Sequence, residues 1–187
     1  TVIDALMFIV EKLRANEGQR NAIASHFNMI NKERRLILVT GHRRENFGAG
    51  FKQVCAALRS IASRNDVEII YPVHLNPNVR EPVHIFLSDT PNIHLIEPQD
   101  YLPFVYLMDR CELVITDSGG IQEEAPALGK PVLVMREVTE RQEAVEVGTV
   151  KLVGTDTDII VRETTLLLDD EGTYKSMSQA HYPFGDG

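Results

Sequence analysis

No stretch of this 187-residue chain stays apolar for the roughly 20 residues that a bilayer crossing takes, so no membrane segment is expected. Cysteine is scarce. Cys55 and Cys111 lie inside stretches that read as regular structure and have no metal-ligand spacing, which suggests buried thiols in a reducing, cytoplasmic setting. Positive charge is in deficit, with 19 Lys and Arg against 27 Asp and Glu and a net charge of -8. That excludes a general nucleic-acid binder, which needs a basic field. It leaves room for a small anionic ligand, because a few Arg and His side chains can outweigh a distant average. Internal repeats, low-complexity stretches and a signal-peptide pattern are all missing. So is an initiator Met, and the chain begins directly on an amphipathic pattern, which raises the expectation of a piece of a longer protein. The remainder, 43% apolar and 25% charged, is that of a globular domain long enough to bury a core.

Hydrophobic spacing organises the chain. Val2, Ile3, Leu6, Ile9, Val10 and Leu13 share a helical stripe, with Phe8 fitting less cleanly, that ends near Asn16-Glu17-Gly18. A second helix is expected over 19–31, with Ile23, Phe27 and Ile30 on one side. From Leu36 onward, short apolar runs alternate with helical patterns. Strands are expected at 36–40, 67–71, 93–96, 113–116, 132–135 and, briefly, 150–153. Helices are expected at 51–63, 78–87, 101–109, 121–128, 156–168 and 171–179, with Pro82 placing the start of the 78–87 helix late, near Glu81. This alternation predicts an α/β fold. It is a Rossmann-like three-layer sandwich with a mostly parallel sheet of about six strands and right-handed crossovers. Residues 1–187 read as a single domain, whose leading helices, 1–34, would connect it to a domain before it.

In an open parallel sheet, ligands bind outside the carboxyl ends of the strands. The loops after Thr40, Tyr71, Ile96, Thr116 and Met135 therefore carry the functional reading, and the unusual polar residues fall there. The most informative is Asp117-Ser118-Gly119-Gly120-Ile121-Gln122-Glu123-Glu124, which turns from a strand into a helix. Free N–H groups at such a helix start, with a serine hydroxyl beside them, surround an anion. Glu124 follows one turn later, about 6 Å along the axis, where it meets a hydroxyl-bearing sugar. The plain alternative is a tight turn with an ordinary cap.

Gly41-His42-Arg43-Arg44-Glu45-Asn46 forms a cationic cluster. Arg forks match phosphate oxygens and His can stabilise a leaving anion; the alternative is a surface loop in which Glu45 or another carboxylate pairs with an Arg. His74 either faces the same cleft or is a neutral loop histidine, and no third residue makes a metal site with His42 and His74. Phe104 either packs beside a planar base, with groups near Gln99 reading its edge, or simply starts a helix. Arg141 either neutralises a phosphate or belongs to an exposed helix start laced with Glu pairs. Asp156 and Asp158 read as ordinary charges at a helix start.

Taken in order, Thr40-Gly41-His42-Arg43-Arg44-Glu45-Asn46, Pro98-Gln99-Asp100-Tyr101, Thr116 through Glu124, Thr139-Glu140-Arg141 and Tyr182-Pro183-Phe184-Gly185-Asp186-Gly187 resemble the non-hydrolysing UDP-N-acetylglucosamine 2-epimerases of bacteria. The resemblance runs the length of the chain. It implies one half of a two-Rossmann-domain (GT-B type) enzyme with its active site between the domains. Such enzymes interconvert UDP-GlcNAc and UDP-ManNAc by eliminating UDP, which leaves a 2-acetamidoglucal, and adding it back after the C2 proton has exchanged. The resemblance implies neither nicotinamide nor metal. It assigns the uracil to Gln99 and Phe104, the diphosphate to Ser118, Gly119 and Gly120, and the ribose hydroxyls to Glu124. His42, as the catalytic residue, and Arg141 would line the cleft near the diphosphate. Arg43, Arg44 and His74 are candidates for a second, activating UDP-GlcNAc. The carboxylates for C2 proton transfer would lie in the absent N-terminal domain, so this chain is expected to bind UDP without epimerising and to expose an apolar patch on its cleft face. The whole protein is expected to be a homodimer. Two alternatives stay open: half of a UDP-sugar glycosyltransferase or hydrolysing epimerase, and a non-catalytic UDP-sugar-binding module.

Overall fold

The structure, a computed structural model, describes residues 2–180. The motif from Tyr182 to Gly187 lies outside them. Two helices come first, α1 (Val2–Ala15) and α2 (Glu17–Ser25). Strands β1 (Arg35–Thr40), β2 (Val67–Pro72), β3 (Ile93–Ile96), β4 (Leu113–Thr116), β5 (Val132–Val134) and β6 (Val150–Leu152) follow. Between and after them run α3 (Ala49–Ala62), α4 (Pro77–Leu87), α5 (Tyr101–Arg110), α6 (Ile121–Ala127), α7 (Gln142–Glu146), α8 (Thr157–Asp169) and α9 (Glu171–Ser178).

All pairings in the sheet are parallel, in the order β3-β2-β1-β4-β5-β6. Leu38 sits opposite both Ile70 and Val114. Alternate residues feed two cores. Ile37, Val39, Ile69 and Ile115 pack with α3, α4 and α8, whereas Leu36, Leu38, Ile70 and Val114 pack with α1, α2, α5 and α6. Burial on both faces is why these strands read as continuous apolar runs and not as alternating ones. Cys55 and Cys111 are buried and unpaired, and burial pushes both thiols up to about 12. Among the described residues, no helix is long and apolar enough to cross a membrane.

Three local departures from the expected elements have physical causes. α2 stops at Ser25, and turns then carry Phe27 and Ile30 into the core, where Phe27 stacks on Tyr106 at 6.0 Å. α4 starts at Pro77, not near Glu81. The Asn76 side chain caps it by accepting from the Asn78 N–H at 3.0 Å, and Pro77 sits where its missing N–H costs nothing. Pro82 then lies inside the helix. Burial of Val79, Val83 and Leu87, at about 1.5–3 kcal/mol each, outweighs the ~3 kcal/mol of an interior proline. Finally, Gln142–Glu146 forms a full turn of helix, α7, because Ala144 is buried under it.

Candidate functional site

β1 and β4 are neighbours, with Thr40 opposite Thr116 and their hydroxyls 2.6 Å apart. The chain leaves β1 toward α3 on one face of the sheet and leaves β4 toward α6 on the other. A crevice opens where the chain parts in this way, at the switch point of a doubly wound sheet.

The loops around the crevice are tied down by Asp117, whose side chain is fully buried. Its Oδ2 accepts the backbone N–H groups of His42 at 2.9 Å and Arg43 at 2.8 Å, and the Asn46 amide at 3.3 Å. Asn46 also donates to the Met135 carbonyl at 3.1 Å, so loops from β1, β4 and β5 meet in one polar cluster. A buried carboxylate is tolerated only with such partners. The Thr116 hydroxyl receives the Ser118 N–H at 3.0 Å, and Gln122, buried in α6, bridges the Ser118 carbonyl to the Thr139 hydroxyl.

A cleft of about 220 Å³ lies over this cluster. His42, His74, Gln99, Phe104 and Ser118 line it together with Thr40, Gly41, Pro72, Pro98 and Ile121. Five of the expected site residues thus meet in one place, four from the loops after β1, β2, β3 and β4 and Phe104 from the first turn of α5. His42 and His74 are stacked, ring centroids 5.5 Å apart and 19° from parallel. Gly120 has φ of -64°, and a Cβ added there would meet nothing within 4 Å. Neither backbone nor packing demands a glycine, so its small size leaves open room at the mouth of α6. Gly41 differs, because a Cβ there would stand 3.0 Å from the Tyr71 hydroxyl.

The other expected residues stand around the cleft without lining it. Arg43 reaches back over the turn, its Nε donating to the Asp117 carbonyl at 3.3 Å and its Nη2 3.8 Å from the position a Cβ on Gly119 would take. Glu45 pairs with Arg136, which also holds Glu140. Neither Arg43 nor Arg44 forms an ion pair among the described residues. Arg141 is held by Glu123 of α6 in a partly buried pair. Glu124 accepts the Tyr101 hydroxyl at 2.9 Å. Burial pushes the Glu124 carboxyl above the usual carboxylate range, the Tyr101 bond pulls it partly back and Glu123 raises it further. Leu75 and Val138, on the loops after β2 and β5, are exposed large apolar residues. No group of three or more metal-ligating side chains is assembled among the described residues.

Sequence reasoning passed over three of these residues. Asp117 was visible as a charged residue directly after a buried strand, but its partners lie more than 70 positions away. Asn46 and Tyr101 were quoted within motifs without a role; here one joins three loops and the other orients Glu124.

With this geometry in place, the comparisons with known proteins are consistent with one another. The family described as UDP-N-acetylglucosamine 2-epimerase matches residues 1–187. The chain is 61% identical to a probable UDP-N-acetylglucosamine 2-epimerase of Ralstonia nicotianae and 57% identical to the UDP-N-acetylglucosamine 2-epimerase of Escherichia coli, across 100% of this chain and 50% of each relative. Its structure is similar to that of the UDP-GlcNAc 2-epimerase from Neisseria meningitidis bound to UDP-GlcNAc. The TM-score is 0.95 at 48% identity, over 100% of this chain and 50% of that one. The chain spans about half the length of the curated relatives it matches.

Proposed function

The chain belongs to the UDP-N-acetylglucosamine 2-epimerase family, and from that premise we propose that it forms the UDP-binding half of a two-Rossmann-domain enzyme that interconverts UDP-GlcNAc and UDP-ManNAc. The observation that carries this reading is the convergence of His42, His74, Gln99 and Ser118, from four separate loops, and Phe104, from the start of α5, on one cleft at the carboxyl end of the sheet.

Phe104 offers its ring to the uracil. The Gln99 amide nitrogen is committed to the Glu97 carbonyl, which leaves the side-chain oxygen for the base. The diphosphate takes the open room at Ser118, Gly119 and Gly120, with Arg43 supplying positive charge beside the turn. Glu124 has one oxygen on Tyr101 and offers the other to a ribose hydroxyl. Arg141 reaches a phosphate only by giving up Glu123. In the elimination step the C1–O bond breaks and its electron pair goes to the phosphate oxygen. His42 meets that charge as it develops, where a preorganised donor has the greatest effect. The C2 proton goes to a base, and re-addition of UDP to C1 is accompanied by protonation of C2 on the opposite face.

No carboxylate among the described residues lines this cleft. We place the proton-transferring carboxylates in the other half of the relatives' length, and a second, activating UDP-GlcNAc beside Arg43, Arg44 and His74. The whole protein is read as a cytoplasmic homodimer, and the buried, unpaired thiols suit that compartment.

Calorimetric titration of this chain with UDP, beside Glu124→Ala, tests the reading. Micromolar binding that the variant loses supports it. A folded sample that does not bind UDP overturns the placement of the nucleotide on this domain.

A further inference from the structure

His42 and His74 are stacked on one wall of the cleft, and each ring has its Nδ1 turned to a different kind of neighbour. His42 Nδ1 lies 3.4 Å from Oδ1 of the buried Asp117. A lone pair there would face the oxygen lone pairs of a carboxylate, whereas a proton there would face its negative charge. His74 Nδ1 accepts the Asn76 N–H at 3.1 Å, so it holds a lone pair and its proton sits on Nε2. The hydrogen bond at one ring nitrogen decides which nitrogen carries the proton.

We propose that Asp117 and the Asn76 amide hold the stacked His42 and His74 rings in opposite tautomers, so that this wall presents Nε2 of His42 as an acceptor and Nε2 of His74 as a donor. Asp117 is then a positioning residue. It keeps a proton on His42 Nδ1, so Nε2 is the ring nitrogen left to meet a ligand. The inference rests on the reading of the cleft as a UDP-sugar site for one point alone, namely what the two Nε2 atoms meet. A phosphate oxygen suits the His74 N–H, and a ligand hydroxyl suits neutral His42. When charged, His42 donates from Nε2 to an anionic oxygen while Asp117 offsets the imidazolium.

The geometry at Asp117 supplies a directional test. Both backbone N–H groups that it receives at under 3 Å go to Oδ2, while Oδ1 faces the ring and takes only a longer, 3.2 Å share of the His42 N–H. Asp117→Asn keeps an oxygen for those amides and turns an NH2 donor toward Nδ1, which reverses the tautomer of His42. Imidazole 15N–1H correlation spectra of the chain without ligand, about two pH units above the ~6.5 of an ordinary imidazole, read this directly. A His42→Gln variant assigns the signals. The expected result is a protonated Nδ1 in His42, a protonated Nε2 in His74, and a switch of His42 alone in Asp117→Asn. Two rings in the same tautomer, or a His42 pattern unchanged in a folded Asp117→Asn, overturn the proposal. Should that variant not fold, the wild-type spectrum still decides between opposite and like tautomers. Because no nucleotide is present, failure of UDP to bind would count against the reading of the cleft and leave this one standing.

Discussion

At Glu124 the demands of ligand and of fold oppose each other. Burial, more than any other influence, raises its carboxyl above the usual range. A carboxyl raised in this way binds its proton more tightly in the folded chain than in the unfolded one. Its contribution to stability therefore falls as pH rises from the unfolded pKa through the folded pKa, and the loss is complete above the latter. Glu124→Gln keeps an oxygen for Tyr101 and removes the charge. Its Tm is expected to exceed wild type at pH 7 and to approach it at about pH 3.5, below the ordinary carboxyl value of ~4.3. Thermal unfolding at the two pH values checks this, and a variant less stable at pH 7 would show that the free protein compensates the buried charge elsewhere. His42 makes the contrasting case, a half-exposed ring with little weight in the fold. In a protein carrying both halves, His42→Ala is expected to lower kcat about 10²-fold, or ~3 kcal/mol, with UDP affinity changed less than about threefold. Loss of affinity at constant kcat would make His42 a binding residue only.

At the scale of elements, the layer opposite α1, α2 and α5 includes α8, which packs against α3 and contributes no residue to the cleft. Its N-cap, Asp156, accepts the Ile159 N–H at 2.9 Å. Asp156→Ala is expected to cost about 1 kcal/mol, a fall in Tm of about 2–4 °C for a domain of this size, and to leave UDP affinity unchanged. Calorimetry of both properties separates the two effects, and a weakened UDP titration would mean that α8 reaches the site. The sequence marked Asp156 as an ordinary charge at a helix start, and the structure makes it the N-cap, one residue before α8 begins. The six strands were readable too, since burial on both faces leaves unbroken runs such as Leu113-Val114-Ile115. Local signals misled where tertiary packing outweighed them. Pro82 argued for a late start to α4, but the buried stripe from Val79 to Leu87 and the Asn76 cap set its true beginning. The 19–31 pattern suggested a helix through Phe27, yet stacking on Tyr106 is satisfied from a turn. The hub at Asp117 was the least legible feature, because nothing local distinguishes an Asp that receives three loop donors from one that faces water.

Across the whole molecule, the question is what half of the relatives' length can do alone. The cleft gathers His42, His74, Gln99, Phe104 and Ser118, and no carboxylate among the described residues lines it. UDP-GlcNAc incubated with this chain in D2O is therefore expected to keep both its C2 proton and its configuration while UDP still binds. Deuterium at C2, followed by NMR, would mean that a base on this chain performs the exchange. The loops at the carboxyl end of the sheet bear on how the other half is held. Leu75 is 57% exposed and Val138 66% exposed, on loops from two different strands, and neither has a structural reason to face water. If the second domain covers them, each contributes on the order of 1–2 kcal/mol of apolar burial to closing the cleft. The double variant Leu75→Ser, Val138→Ser should leave the Tm and UDP affinity of this chain unchanged, because nothing buried is lost. In the protein with both halves it should lower kcat/KM about tenfold or more. Equal kcat/KM in variant and wild type would show that the second half closes over the cleft without touching these loops.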